Sequence, residues 1–494
     1  MTSLSRWLKQ GALIACVAAL TLLAWRIYDS ERGPALQPWH LHVPHELSAK
    51  QLDRTDWAGW LKAEDQVFAE VEHEVSAPLD LAQVPLFNRY RQDSRVYPPG
   101  FATDWNRSYL LRPEGPPRGV VVLVHGLTDS PYSLRHIARR YVELGYLAIG
   151  LRLPGHGTVP AALTEARWQD WLAATRLALR TARAEVPAPA PLHLVGYSNG
   201  GALAVKYSLD ALLDPQLPQA QRLVLVSPMI GVAASARFAG LAGWPAVFPA
   251  FSKAAWLNLR PEYNPFKYNS FPVNGARQSW LLTDALQGQV LALADDPRLA
   301  RLPPILAFQS LVDSTVSTQA LVSGLYRHLP ANGSELVIFD LNRARDFEGL
   351  LDPASVTSLA GLLPPPPRNY TTRILTNQGT GSSAMELVST VAQSQQDSHE
   401  PLDLAYPPEV FSLSHVALPF PTDDALYGTQ PTGAEDFGVH LGTLAARGER
   451  GVLVLPMDEL MRLTANPFYP YLIRRIDPSN LRLASPSVPA PELE

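Results

Sequence analysis

Cysteine is nearly absent from this chain. Cys16 is the sole cysteine among 494 residues, so no intrachain disulfide can form and no cysteine-based zinc site exists. Its place inside an N-terminal apolar stretch also removes a thiol nucleophile from the folded body. Basic charge is scarce as well: the net charge is −5, which argues against nucleic acid as the main partner. A small-residue cleavage site is missing too, because Leu22-Leu23-Ala24-Trp25-Arg26-Ile27-Tyr28 is bulky throughout. Disorder is excluded by composition, since 46% of residues are hydrophobic and 18% charged.

What the N-terminus does contain is Arg6 and Lys9 followed by an apolar run from Gly11 to Trp25. Ile27 and Tyr28 extend the run past Arg26, whose side chain can snorkel, towards the roughly 20 residues a membrane span requires. Positive charge before the run predicts an uncleaved signal-anchor, N-terminus inside and body outside the cytoplasmic membrane. Leu13-Ile14-Ala15-Cys16 offers a rival, a lipoprotein-type processing box, with too short an apolar run ahead of the cysteine.

Length allows one large domain with additions, or several ordinary ones. Residues 1–30 read as the anchor and 31–104 as a tether with an accessory helical segment. Trp57, Trp60, Leu61, Val67, Phe68 and Val71 fall near helical spacing there. The acidic polar face suits a helix packed on the body better than one lying on a membrane. From about 105 apolar strands alternate with amphipathic helices. Strands are expected at 108–111, 119–124, 147–150, 192–195, 223–227, 305–308 and 335–339. Helices are expected at 133–144, 168–184, 202–213 and 318–328. That rhythm predicts an α/β fold with a mostly parallel sheet covered on both faces. It breaks at 229–304, a stretch rich in aromatics including Phe251, Trp256, Phe271 and Trp280, which reads as a largely helical cap inserted after a strand. Core first part 105–228 and second part 305–425 therefore flank the cap. An insertion at about 342–408 holds the run Pro364-Pro365-Pro366-Pro367, and 426–494 is expected to pack on the core, with a strand-like run at 451–455.

Gly196-Tyr197-Ser198-Asn199-Gly200 follows one of these strands and opens a helix. In that setting the serine sits on a strained turn that lifts its hydroxyl clear of the sheet, and glycines let the neighbouring backbone pass close. A serine needs a base, an orienting acid and an oxyanion hole. Val124 leads into His125-Gly126-Leu127, so the N–H groups of Leu127 and Asn199 are the oxyanion candidates, with His125 bracing the turn. Asp313, after the strand at 305–308, is the acid candidate; a helix N-cap is its plainer role, and Asp284 and Asp340 are runners-up. His328, His399, His415 and His440 follow Asp313, and His415 is the base candidate. His328 ends a helix, where histidine usually faces the dipole.

Three motifs in order, His125-Gly126-Leu127-Thr128-Asp129-Ser130-Pro131, Leu153-Pro154-Gly155-His156-Gly157 and Gly196-Tyr197-Ser198-Asn199-Gly200-Gly201, resemble the α/β-hydrolase fold. The likeness is strongest to its monoacylglycerol lipase and carboxylesterase branch, the serine-aminopeptidase type, over about 105–345 plus the His415 motif. The resemblance implies Ser198 as nucleophile, Asp313 as acid, His415 as base and Leu127 and Asn199 as oxyanion donors, with His156 structural. Asp313 and His415 are 102 residues apart, more than the family's usual few tens. The expected function is membrane-anchored hydrolysis of carboxylic esters, of apolar or lipid-like acyl groups, without metal or cofactor. An acyltransferase, thioesterase or peptidase would use the same acyl-enzyme, and a catalytically idle interaction module is the reading from another class.

Overall fold

Strands that are apolar on both sides must be covered on both faces, and the central strands of this protein are of that kind. The computed structural model describes residues 2–231, 246, 249–344, 350–353, 357, 361–444 and 456–477. Helix α1 spans Thr2–Glu31 and α2 Trp57–Val71. The core begins with β1 (Tyr109–Leu111), β2 (Gly119–Val124), α3 (Arg135–Glu143) and β3 (Tyr146–Leu151). It continues through α4 (Trp168–Glu185), β4 (Leu192–Tyr197), α5 (Asn199–Leu213) and β5 (Arg222–Val226). A two-stranded ribbon, β6 (Trp256–Asn258) with β7 (Phe271–Pro272), precedes the long helix α6 (Val273–Leu293). The chain then returns to the sheet as β8 (Ile305–Ser310), α7 (Thr318–Gly324) and β9 (Glu335–Phe339). Last come β10 (Thr371–Asn377), β11 (Ala384–Thr390), β12 (Asp397–Ala405) and α8 (Tyr469–Ile476).

Ten strands form one sheet in the order β1-β3-β2-β4-β5-β8-β9-β10-β11-β12. Its middle, from β3 to β10, is parallel, and β1, β11 and β12 are added antiparallel at the two ends. The seven strands expected between 108 and 339 all form, with ends displaced by two residues or fewer. Side-chain alternation along β2 divides the core in two: Val120, Val122 and Val124 face one cluster, Val121 and Leu123 the other. Helices α4, α5 and α6 fill the first cluster; α3 and α8 fill the second.

Each added region is tied to this body by burial. Asp56 caps α2 by accepting from the Gly59 N–H at 2.8 Å. Trp60, Glu64, Val67 and Val71 then form its buried stripe. Trp60 is fully buried beneath α4, a packing whose truncation to alanine costs about 3–5 kcal/mol. Much of the stretch read as an insertion at 342–408 goes into the sheet, as β10 to β12. In the stretch after Pro421, Phe468, Tyr471, Leu472 and Ile476 pack on the second cluster; the run at 451–455 lies outside the described residues. Within 229–304 the described part is α6, two 3₁₀ segments (Pro249–Ala255 and Pro297–Arg301), the small ribbon and irregular backbone; Phe238, Trp244 and Phe248 lie outside the described residues.

Candidate active site

The last residue of β4 is followed by Ser198 at φ 54 and ψ −116, and α5 starts at once with Asn199. A non-glycine residue with such angles carries roughly 1–3 kcal/mol of strain. Four backbone hydrogen bonds hold it there: the Ser198 N–H donates to Val226 O (3.0 Å), and Ser198 O accepts from Met229 (2.9 Å), Gly201 (2.9 Å) and Ala202 (3.3 Å). The two motif glycines are required by contact, because a Cβ on Gly200 would overlap the Val124 carbonyl and one on Gly196 the Gly200 backbone.

Beside this turn, β2 ends in the His125–Leu127 loop. His125 is fully buried; its Nε2 accepts from the Leu153 N–H (3.0 Å), which leaves Nδ1–H to donate to Gly126 O (2.8 Å). Burial, with His156 and Arg152 nearby, pushes its pKa well below the ordinary value, so it is a neutral brace. Thr128 sits at φ 62, and its carbonyl accepts from the Tyr268 N–H at 2.8 Å. A Cβ on Gly126 would come within 3.1 Å of the Ser198 Cβ, so loop and elbow are adjacent. Among the described residues neither the Leu127 nor the Asn199 N–H is used in a hydrogen bond, which leaves both free for an oxyanion.

Asp313 lies on the loop after β8. Its Oδ1 accepts from the N–H groups of Thr315 (2.8 Å) and Val316 (3.0 Å), and its Oδ2 meets Gln309 Nε2 at 3.1 Å and His415 Nδ1 at 2.8 Å. Burial raises this carboxyl, but His415 and the two amides outweigh it, and its pKa is lowered. An ionised Asp313 accepts a hydrogen bond from His415 Nδ1–H, which fixes the tautomer and leaves Nε2 as a lone-pair acceptor. The Tyr197 ring stacks on the imidazole at 5.3 Å, and Ser310 Oγ donates to Leu413 O (2.7 Å) to hold the segment.

Ser198, Leu127 and His415 line one cavity of about 880 Å³, with Tyr197, Met229, Phe271 and Tyr427 among its apolar walls. Asp129 is also there, its carboxyl pushed up to about 6 by burial. The other candidates are employed elsewhere. Asp340 pairs with Arg343 (2.6 Å), His399 of β12 with Glu386 of β11 (3.2 Å), and His440 bonds Ala425 O (2.8 Å). Asp284 is within α6 and His328 ends a short 3₁₀ turn. His156 is buried against Trp171, its Nδ1 on Pro154 O (3.1 Å). Sequence reasoning missed Tyr197 as a ring under His415, although it lies inside the motif, and missed Gln309 and Lys267, which no local pattern marks. Among the described residues no cluster of His, Cys, Asp and Glu could hold a metal ion.

Residues 115–327 match the family model described as serine aminopeptidase, S33. Over 53 residues the chain is 42% identical to the thermostable monoacylglycerol lipase of Bacillus sp. (strain H-257), covering 11% of this chain and 21% of the relative. It thus spans about a fifth of the length of that curated relative. Among solved structures, one of the metagenome-derived lipolytic enzymes LipS and LipT aligns with 48% of this chain and 88% of its own, at 22% identity and a TM-score of 0.38. The monoglyceride lipase of Saccharomyces cerevisiae aligns with 47% and 81%, at 13% identity and 0.36. That of Paleococcus ferrophilus aligns with 47% and 88%, at 15% and 0.35. The parallel sheet covered on both faces, the strand–serine–helix turn and the model match over residues 115–327 agree on the α/β-hydrolase fold, with its likeness to the serine aminopeptidase S33 family confined to that stretch.

Proposed function

We propose that this protein is a serine hydrolase of carboxylic esters, held at a membrane by α1. The observation that carries this reading is the strained Ser198 sharing a cavity with His415, whose Nδ1 bonds Asp313 at 2.8 Å. Ser198 Oγ attacks the acyl carbonyl while its proton passes to His415 Nε2, and ionised Asp313 stabilises the imidazolium. The N–H groups of Leu127 and Asn199 take up the negative charge that develops on the carbonyl oxygen. Collapse of the tetrahedral species breaks the ester bond, and His415 returns the proton to the departing alkoxide. Water then attacks the acyl-enzyme by the same route in reverse, releasing the acid and restoring Ser198.

Apolar cavity walls favour an apolar acyl group, and the monoacylglycerol lipase relative supports a lipid-derived ester. Helix α1 is long and apolar enough between Lys9 and Glu31 to cross a membrane. With Arg6 and Lys9 ahead of it, an extracytoplasmic catalytic body is the orientation we infer. The test is hydrolysis of p-nitrophenyl esters of increasing acyl length by the full chain and by Ser198→Ala. Turnover by the wild type should fall by about 10⁴-fold or more in the variant, and a fluorophosphonate should label the wild type alone. A folded wild type that neither turns over any ester nor labels would sink this reading and leave a non-catalytic interaction module.

A further inference from the structure

Between β6 and β7 the chain runs along the candidate cavity, and Lys267 lies at the middle of that passage. Its two neighbours are pinned. Phe266, 1% exposed, lies parallel to the Tyr132 ring at 4.1 Å. Tyr268, 3% exposed, donates its N–H to Thr128 O (2.8 Å) and its hydroxyl to Gly155 O (3.1 Å), and accepts from the Thr158 N–H (2.8 Å). With both neighbours turned into the core, the Lys267 side chain is turned into the cavity that Ser198 and His415 share. The same clamp on Thr128 joins this segment to the loop that carries Leu127.

The charges facing that cavity do not balance around Lys267. Arg260 is ion-paired to Glu459, and Arg462 donates to Thr315 Oγ1 at 3.1 Å. Asp129 is the carboxylate acting on Lys267, but it is bonded elsewhere. Ser133 Oγ donates to it at 2.5 Å, and the N–H groups of Ser130 and Gly126 also serve it. Lys267 itself makes no hydrogen bond or ion pair among the described residues. Burial lowers its pKa and Asp129 opposes that shift, while Arg462 adds further positive charge on the same side. The half-buried Lys267 ammonium therefore faces the cavity with its three donors uncommitted, and Asp129 acts on it only through its charge. A bound anion would engage those donors at the reacting centre.

We propose that Lys267, reinforced by Arg462, recognises an anionic oxygen group, a carboxylate or a phosphate, on the ester that Ser198 attacks. This inference rests on the ester-hydrolase reading and narrows its substrate class from lipid-derived esters in general to those that carry an anionic group. Charge on the acyl side and charge on the alcohol side are two sources of the same chemistry, and two matched pairs distinguish them. One pair is the p-nitrophenyl ester of pentanoic acid against the mono-p-nitrophenyl ester of glutaric acid. The other is oleoyl glycerol against oleoyl glycerol phosphate.

With the full-length protein, the anionic member of at least one pair should have the higher kcat/KM by about tenfold or more. That ratio should collapse in Lys267→Met, survive in Lys267→Arg and shrink as salt is raised. A ratio is read because a general folding defect lowers both members alike. Preference for the neutral ester in both pairs would overturn the proposal, as would an unchanged ratio in Lys267→Met. Failure of all four esters together with an unlabelled Ser198 would overturn the hydrolase reading instead, and the anion site with it.

Discussion

Two fully buried arginines hold the segments that flank the core to it, and they do so differently. Arg152, at the end of β3, receives acids from the N-terminal segment. Glu46 bridges its Nη1 and Nη2 (2.6 and 3.0 Å), and Glu64 meets its Nε (2.9 Å). Arg135, at the start of α3, receives acids from beyond His415: Asp424 at Nη1 (2.8 Å) and Glu435 at Nη2 (3.2 Å). Each guanidinium also lies over an aromatic ring, Trp60 at 5.0 Å and Tyr132 at 3.7 Å. The outcomes for the acids are opposite. Burial raises the Glu64 carboxyl and Arg152 does not offset it. Burial also opposes ionisation of Asp424, but Arg135, His136 and backbone N–H groups bring it well below the carboxylate range. Each of the two acids shares its arginine with a second carboxylate, but Glu64 otherwise has only the N–H and hydroxyl of Ser108. Asp424 has His136 Nε2 (2.9 Å), Tyr132 OH (2.9 Å) and the N–H groups of Leu426 (2.9 Å) and Tyr427 (2.7 Å) as well. In a dry site the number of donors, not the presence of an arginine, decides whether an acid stays ionised.

The strongest way to break this comparison is Arg135→Met. Asp424 would be left buried with its charge uncompensated, a loss of about 3–5 kcal/mol. Activity should suffer as well, because this clamp fixes the chain between His415 and the cavity residue Tyr427. Thermal unfolding paired with fluorophosphonate titration of Ser198 would measure both, and an unmoved melting temperature would contradict the account. Arg152→Met should cost less, about 2–3 kcal/mol, because Glu64 is already poised to take up a proton rather than remain an orphaned charge. Its effect on Ser198 should be smaller too, passing only through the Arg152–His156 contact (3.0 Å) and the Leu153–His125 bond (3.0 Å). Equal losses in stability and labelling for the two variants would erase the distinction drawn here.

The same contrast runs through what the chain reveals of itself. The strands β2, β4 and β9 are legible because burial on both faces forces continuous apolar runs, and the elbow because its glycines are dictated by contact. The order serine, acid, histidine names three side chains of which two, 102 residues apart, meet at 2.8 Å. Strands β10 to β12 supply much of what separates them and were not foreseen. β12, Asp397–Ala405, is an exposed edge carrying charges and Pro401, as edges that resist pairing do, so it has no apolar pattern to read. Both arginine clamps were equally silent. A buried Arg and an exposed one look alike in sequence, and the partners of Arg135 lie 289 and 300 residues away.

The smallest effect is also the sharpest test of the comparison, because its sign differs between the two acids. Asp424 has a folded pKa below its unfolded value of about 3.9. Its stabilisation is therefore complete above that value and fades as pH falls through it towards the folded pKa. Glu64 has a folded pKa above its unfolded value of about 4.3, so its ionisation opposes folding. That cost is absent below the unfolded value and grows as pH rises towards the folded one. The buried His125, His156 and His193 have lowered pKa values, and they weaken the fold progressively below about pH 6.5. The loss from these three, none of which bonds Asp424 or Glu64, cancels in differences between wild type and variant, whereas that from His136, which bonds Asp424, does not, so both members of the Asp424 comparison carry His136→Gln. Denaturant midpoints from pH 3 to 7 should then show the advantage of the intact Asp424 over Asp424→Asn growing with pH. The standing of wild type against Glu64→Gln should decline over the same range, each by at most about 1.4 kcal/mol per pH unit. Parallel profiles for the two variants would mean that the carboxyls ionise alike, and that donor number does not set the difference between the clamps.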